Sequence, residues 1–138
     1  MKHQLVSVLL GVALLNCCGG GNQSVVLSIA GRWSGVFRSS NASIAPFTVM
    51  ATINEDNSGV LTATASFLNF PCLAAASLKG TITGMKVTFA GSDSAGDSAT
   101  LEGTSNTAGT QMSLSYVVNG GASGKCETDN GTGTLTKQ

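Results

Sequence analysis

Residues 47–67, FTVMATINEDNSGVLTATASF, decide the fold class. Phe47, Val49, Ala51 and Ile53 alternate with Thr48, Met50, Thr52 and Asn54. A period of two marks a strand with one face toward an apolar core and the other toward water. Asn54 to Gly59 (NEDNSG) gathers the turn formers of a hairpin, and Val60 to Phe67 (VLTATASF) returns as a second strand.

The same grammar runs outward in both directions. Upstream, GRWSGVF (residues 31–37) sets Trp33 and Phe37 on one face and Arg32, Ser34 and Arg38 on the other. Downstream, Asn69 to Cys72 reads as a turn, and residues 74–83 carry Leu78 and Ile82. Gly84 opens a tight hairpin into a strand with Val87 and Phe89. After the loop GSDSAGDS (residues 91–98) come a short strand at 100–104 and a turn at 106–109. A strand with Met112, Leu114 and Tyr116 follows, then a Gly-rich loop from Asn119 to Asn130, and a closing strand at 132–136. Pro46 and Pro71 fall at strand starts or turns, where a missing N–H does no harm.

Eight short strands joined by hairpins, with no helical segment, predict an all-β antiparallel meander. Eight is a number that closes into an up-and-down barrel, filled by side chains or holding one small ligand. A two-sheet β-sandwich uses the same alternation and remains the alternative. The inward set is Trp33, Phe37, Phe47, Val49, Ile53, Leu61, Leu78, Ile82, Val87, Phe89, Leu101, Met112, Leu114, Tyr116 and Leu135. Strands read as roughly five to eight residues long, with Thr and Ser on the alternate face, do not suit a bilayer-spanning barrel.

Composition narrows the function classes. Charged residues are 10% of the chain, so its polar surface comes from Ser, Thr, Asn and Gly. There is no basic run, and nucleic-acid binding has no electrostatic footprint. The one histidine is His3. Without a later imidazole, Ser/His and Cys/His nucleophilic sites are excluded. Glu55, Asp56, Asp93, Asp97, Glu127 and Asp129 read as solvated turn acids, and Glu102 as an outward strand position. No catalytic residue, metal ligand set or cofactor fingerprint emerges.

The N-terminus concerns address. Met1-Lys2-His3 is a short positive start, and LVSVLLGVALL (residues 5–15) is an apolar run too short to span a bilayer as a helix. Asn16-Cys17-Cys18 and three glycines follow. This arrangement resembles a bacterial lipoprotein signal, in which the peptide is cut before a cysteine that carries lipid. The resemblance places the lipid on Cys18, with Cys17 as the alternative. Cleavage before Cys18 discards Cys17 and leaves no exposed free thiol. The expected organisation is a signal peptide over residues 1–17, a flexible tether over 18–28 and a β-barrel domain over 29–138. Losing Lys2 with the signal takes seven basic residues to six, against seven acidic ones. With no Asp after Cys18, the resemblance implies the outer membrane of the cell envelope.

Cys72 precedes the fourth strand and Cys126 the eighth, neither with a second ligand at metal spacing. In an exported chain such a pair forms a disulfide. Taken with Cys18-Gly19-Gly20-Gly21, Gly31-Arg32-Trp33-Ser34-Gly35 and the GTGTLT end (residues 131–136), the chain resembles small bacterial lipoproteins with a lipocalin-like β domain. Gly31-x-Trp33 is similar to the lipocalin Gly-x-Trp, whose Trp plugs the closed end of the barrel. The resemblance implies a non-enzymatic, lipid-anchored envelope protein with a structural role or a small apolar ligand against Trp33, Phe37, Phe89 and Tyr116. The alternative is an interaction module, such as a hydrolase inhibitor, using the Asn119–Asn130 loop against an envelope protein.

Overall fold

The computed structural model describes residues 27–122 and 126–138. The signal peptide, both candidate lipidation cysteines and most of the expected tether lie outside the described residues. Eight strands follow in chain order: β1 (Gly31–Ser39), β2 (Phe47–Glu55), β3 (Val60–Leu68), β4 (Ala75–Thr83), β5 (Lys86–Ser92), β6 (Ser98–Ser105), β7 (Gln111–Asn119) and β8 (Asp129–Lys137). Each pairs antiparallel with its neighbour in sequence, and β8 pairs back onto β1. That last ladder, with Trp33 opposite Lys137 and Phe37 opposite Gly133, closes the sheet into a barrel and removes the sandwich alternative.

The strands run seven to nine residues, longer than the sequence suggested. The extra length comes at ends where Gly, Asp and Ser broke the apolar alternation, as in Asp129-Asn130-Gly131 at the start of β8. Strand length therefore no longer argues against crossing a bilayer. Apolar side chains point in, while Thr62, Thr64 and Ser66 of β3 point out beside Arg32 and Lys79, and Val36, Met50 and Val117 are exposed on the outer surface. Among the described residues no helix is long and apolar enough to cross a membrane.

Three of the turns reuse one device. Asp56-Asn57-Ser58-Gly59, Asp93-Ser94-Ala95-Gly96 and Asn106-Thr107-Ala108-Gly109 each begin with a side-chain oxygen that caps the turn's N–H groups. Each ends on a glycine with φ between 65° and 93°. The glycine supplies the left-handed residue that lets such a turn rejoin the ladder.

The inward set is buried as expected apart from Ile82, which is half-buried near one rim, and it gains Ile29, Ala63, Ala65, Phe67, Phe70, Leu73 and Val118. At mid-height the inward side chains mix small and large, with Ala51, Ala63 and Ala65 beside Leu78, Phe89 and Leu101. There the strands also bend tightly: a methyl on Gly35 would overlap the Thr134 carbonyl of β8.

Candidate functional site

The barrel has two differently closed ends. The end holding the start of β1 is plugged by Trp33, which is 1% exposed and donates its indole N–H to the Ile29 carbonyl at 2.8 Å. The approach to β1 is fixed by Glu55, whose Oε2 accepts from Ser28 Oγ at 2.9 Å and Ile29 N at 3.0 Å. The last two residues expected in the tether thus already touch the barrel: Ser28 through this bond, and Leu27 against a shallow surface groove with Met85 and Ile82. Lys137 Nζ lies 5.8 Å above the Trp33 ring.

The middle layer surrounds an apolar void of about 10 Å³ bordered by Ala51, Ala63, Ala65, Leu78 and Phe89 among others. That is about the room of one water-sized sphere, so the barrel as it stands is filled.

The opposite end is aromatic. Phe37 of β1, Phe47 of β2, Phe67 of β3 and Tyr116 of β7 converge there, joined by Phe70 from the β3–β4 loop. Phe37 lies 6.0 Å from Phe47 and 5.9 Å from Tyr116, between ring centroids. Phe70 stacks on Phe47 at 4.1 Å with 20° between planes, and meets Tyr116 edge-on at 5.9 Å. β8 makes room for these rings with glycine: a methyl on Gly133 would overlap the Phe37 ring, and one on Gly131 would press on Tyr116.

A polar group is built into this apolar end. Tyr116 donates its hydroxyl to Asp129 Oδ2 at 2.6 Å, and Ser39 donates its own to Asp129 Oδ1 at 2.6 Å. Asp129 is 5% exposed. Burial above all, and then the bond and charge of Asp129, push the Tyr116 phenol well above its ordinary range. The arrangement holds a buried carboxyl group between two hydroxyl donors at the edge of the aromatic cluster.

Two acids correct the sequence reading. Asp97 and Asp129 were expected as solvated turn residues, yet both are buried. Asp129 opens β8 in register with Gly131, Gly133 and Leu135, so it points inward, and its two hydroxyl donors offset the cost of desolvation. Asp97 is held in the turn by its own N–H, which donates to Asp93 Oδ1. Glu102 is exposed as expected. Among the described residues no group of three or more acids, cysteines or histidines is placed to hold a metal ion.

Of the four candidate ligand residues, the structure brings Phe37 and Tyr116 together. Trp33 sits at the other end and Phe89 at mid-height. Cys72 and Cys126 form a disulfide, with Cα atoms 5.1 Å apart. It ties the β3–β4 loop, which carries Phe70 and Leu73 into the aromatic end, to the loop before β8. Phe67, Phe70, Ser39 and Asp129 were absent from the sequence reading of the site. Parity along VLTATASF and back along β8 pointed Phe67 and Asp129 inward, but Phe70 lies in a turn where no period operates.

No family model matches the chain, and no curated protein matches it. Among solved structures it is similar to EF1p2_mFAP2b bound to DFHBI, with a TM-score of 0.55 and 13% identity, over 80% of this chain and 94% of that one. At that identity the likeness concerns the fold: a closed, eight-stranded antiparallel β-barrel.

Proposed function

We propose that this chain is a lipid-anchored envelope protein, held to a bacterial outer membrane through Cys18, whose barrel binds a small apolar ligand without transforming it. The observation that carries the binding reading is the aromatic end, where five rings pack into one apolar cluster and one of them is carried by a loop rather than by a strand. A buried carboxylate with two hydroxyl donors gives that cluster one polar edge, the mixture typical of small-molecule sites. That EF1p2_mFAP2b, a barrel of similar fold, is bound to DFHBI supports the reading by analogy. The anchor rests on the leader and on Cys18-Gly19-Gly20-Gly21. The reading is non-catalytic because the chain past His3 offers no imidazole and the buried Asp129 carboxylate is engaged by two neutral hydroxyls.

Two measurements test it. Mass spectrometry of the mature N-terminus should find a diacylated or triacylated Cys18; an unmodified leader would remove the anchor. Calorimetric titration with small apolar molecules should give saturable one-to-one heats, weakened by Phe37→Leu while circular dichroism shows the barrel intact. Flat titrations across fatty acids, sterols and aromatic compounds would remove the ligand.

A further inference from the structure

Four of the five rings at the aromatic end stand on strands, and one does not. Phe70 enters from the β3–β4 loop, between Asn69 and Pro71. Asn69 has φ 65°, the one left-handed non-glycine among the described residues. The loop is joined to the barrel by the Phe67 N–H donating to the Ala74 carbonyl at 2.8 Å and by the Cys72–Cys126 bridge. Strand-borne rings cannot leave without breaking a ladder on both sides, whereas Phe70 can move with its loop.

We infer that Phe70 is a stand-in plug, and that the slot it fills takes a flat aromatic molecule. This rests on the reading that the barrel binds a small ligand, and it names the ligand's class and place. The shape of the slot argues for the class. One wall is the face of Phe47, which Phe70 covers at 4.1 Å with nearly parallel planes, and another is the edge of Tyr116, 82° from the Phe70 plane. Stacked and edge-on contacts together favour a flat π-system over an aliphatic chain of equal area. Leu73, in the same loop beyond the bridged Cys72, is buried as well. The disulfide braces the plug loop against the loop before β8 and so opposes exchange.

Titration of the disulfide-intact barrel with 2-naphthol, and with decahydro-2-naphthol as its saturated counterpart, tests the slot. The wild-type protein should bind 2-naphthol at least tenfold more tightly than the saturated alcohol. Phe70→Ala should tighten 2-naphthol binding by about tenfold, because no plug has to be displaced. Phe47→Leu should weaken it by a similar factor while buried Trp33 fluorescence shows the barrel intact. Replacing both Cys72 and Cys126 by Ser should speed association. Binding by Phe70→Ala alone, with none by wild type or the serine variant, would mark a cavity made by the mutation and overturn the plug. Equal affinity for the two alcohols, unmoved by Phe70→Ala, would overturn the slot while leaving a ligand-binding barrel. No binding by any variant would overturn both.

Discussion

The Tyr116 hydroxyl lies 2.6 Å from Asp129 Oδ2, with both side chains buried between β7 and β8. The bond fixes the inward pitch of β8 at its first residue, where sequence shows only a loop-like Asp-Asn-Gly. Its strength depends on the phenol keeping its proton. The Tyr116 pKa is raised from 10.0, chiefly by burial. A raised pKa means that the folded chain holds this proton under conditions where the unfolded chain releases it. The stabilisation is therefore complete below about pH 10 and drains away as pH rises beyond it. Urea midpoints should fall steeply above that pH in the wild type and less steeply in Tyr116→Phe. Because the chain has one tyrosine, phenolate absorbance reports this group alone. At neutral pH, Tyr116→Phe leaves Asp129 with Ser39 as its remaining hydroxyl donor, and should cost about 1–3 kcal/mol.

The Cys72–Cys126 bridge spans 54 residues. Closing a loop of that length in the unfolded chain corresponds to roughly 4 kcal/mol in the chain-entropy account. Replacing both cysteines by Ser should lower the unfolding free energy by about that amount, read from urea curves with unchanged slope. A much smaller loss would mean that the unfolded chain already keeps these loops close.

The barrel was legible because its inward and outward residues differ in kind: Phe47, Val49 and Ile53 against Thr48, Thr52 and Asn54 set both strand and face. Closure was less so, since pairing of β8 with β1 joins residues about a hundred apart, and no local pattern separates a barrel from a sandwich. The candidate site was half visible. Phe37 and Tyr116 follow from parity, but Phe70 and the bridge bring a turn into the core, which periodicity does not report. Asp129 was misread because an acid beside Asn and Gly resembles a turn. Only the approach of Tyr116 and Ser39 makes its burial affordable. The capped turns at Asp56, Asp93 and Asn106 repeat a visible pattern, an Asp or Asn three residues before Gly, that individual turn readings did not connect.

That pattern carries its own pH signature. Asp56 Oδ1 accepts from Ser58 Oγ at 2.7 Å, Ser58 N at 2.8 Å and Val60 N at 3.0 Å. The Ser58 hydroxyl first, then the Val60 and Ser58 amides, hold its carboxyl below the ordinary 3.8. A lowered pKa favours the folded turn above that value and is lost as pH falls through the folded pKa. In a carboxylate NMR titration, Asp56 should turn below 3.8. Ser58→Ala should move its midpoint upward, and the amide of Val60 should shift with the same midpoint. An Asp56 midpoint unmoved by Ser58→Ala would show that the hydroxyl bond is absent in solution.

Trp33 provides the check on the opposite end. It is the chain's one tryptophan, 1% exposed, and its indole N–H is spent on the Ile29 carbonyl. Folded protein should therefore emit in the blue and resist quenching by acrylamide, with a large red shift on unfolding. Trp33→Phe keeps an aromatic plug but removes the donor, leaving the Ile29 carbonyl to be satisfied otherwise and a gap where the second ring stood. The loss should be about 2–4 kcal/mol by circular dichroism, combining a buried unmet acceptor with a partial cavity. Glu55→Gln separates the two ends of this arrangement. It keeps an acceptor for Ser28 and Ile29, so it should cost much less than Trp33→Phe. An equal cost would place the anchoring of the entry segment in the Glu55 charge rather than in the plug.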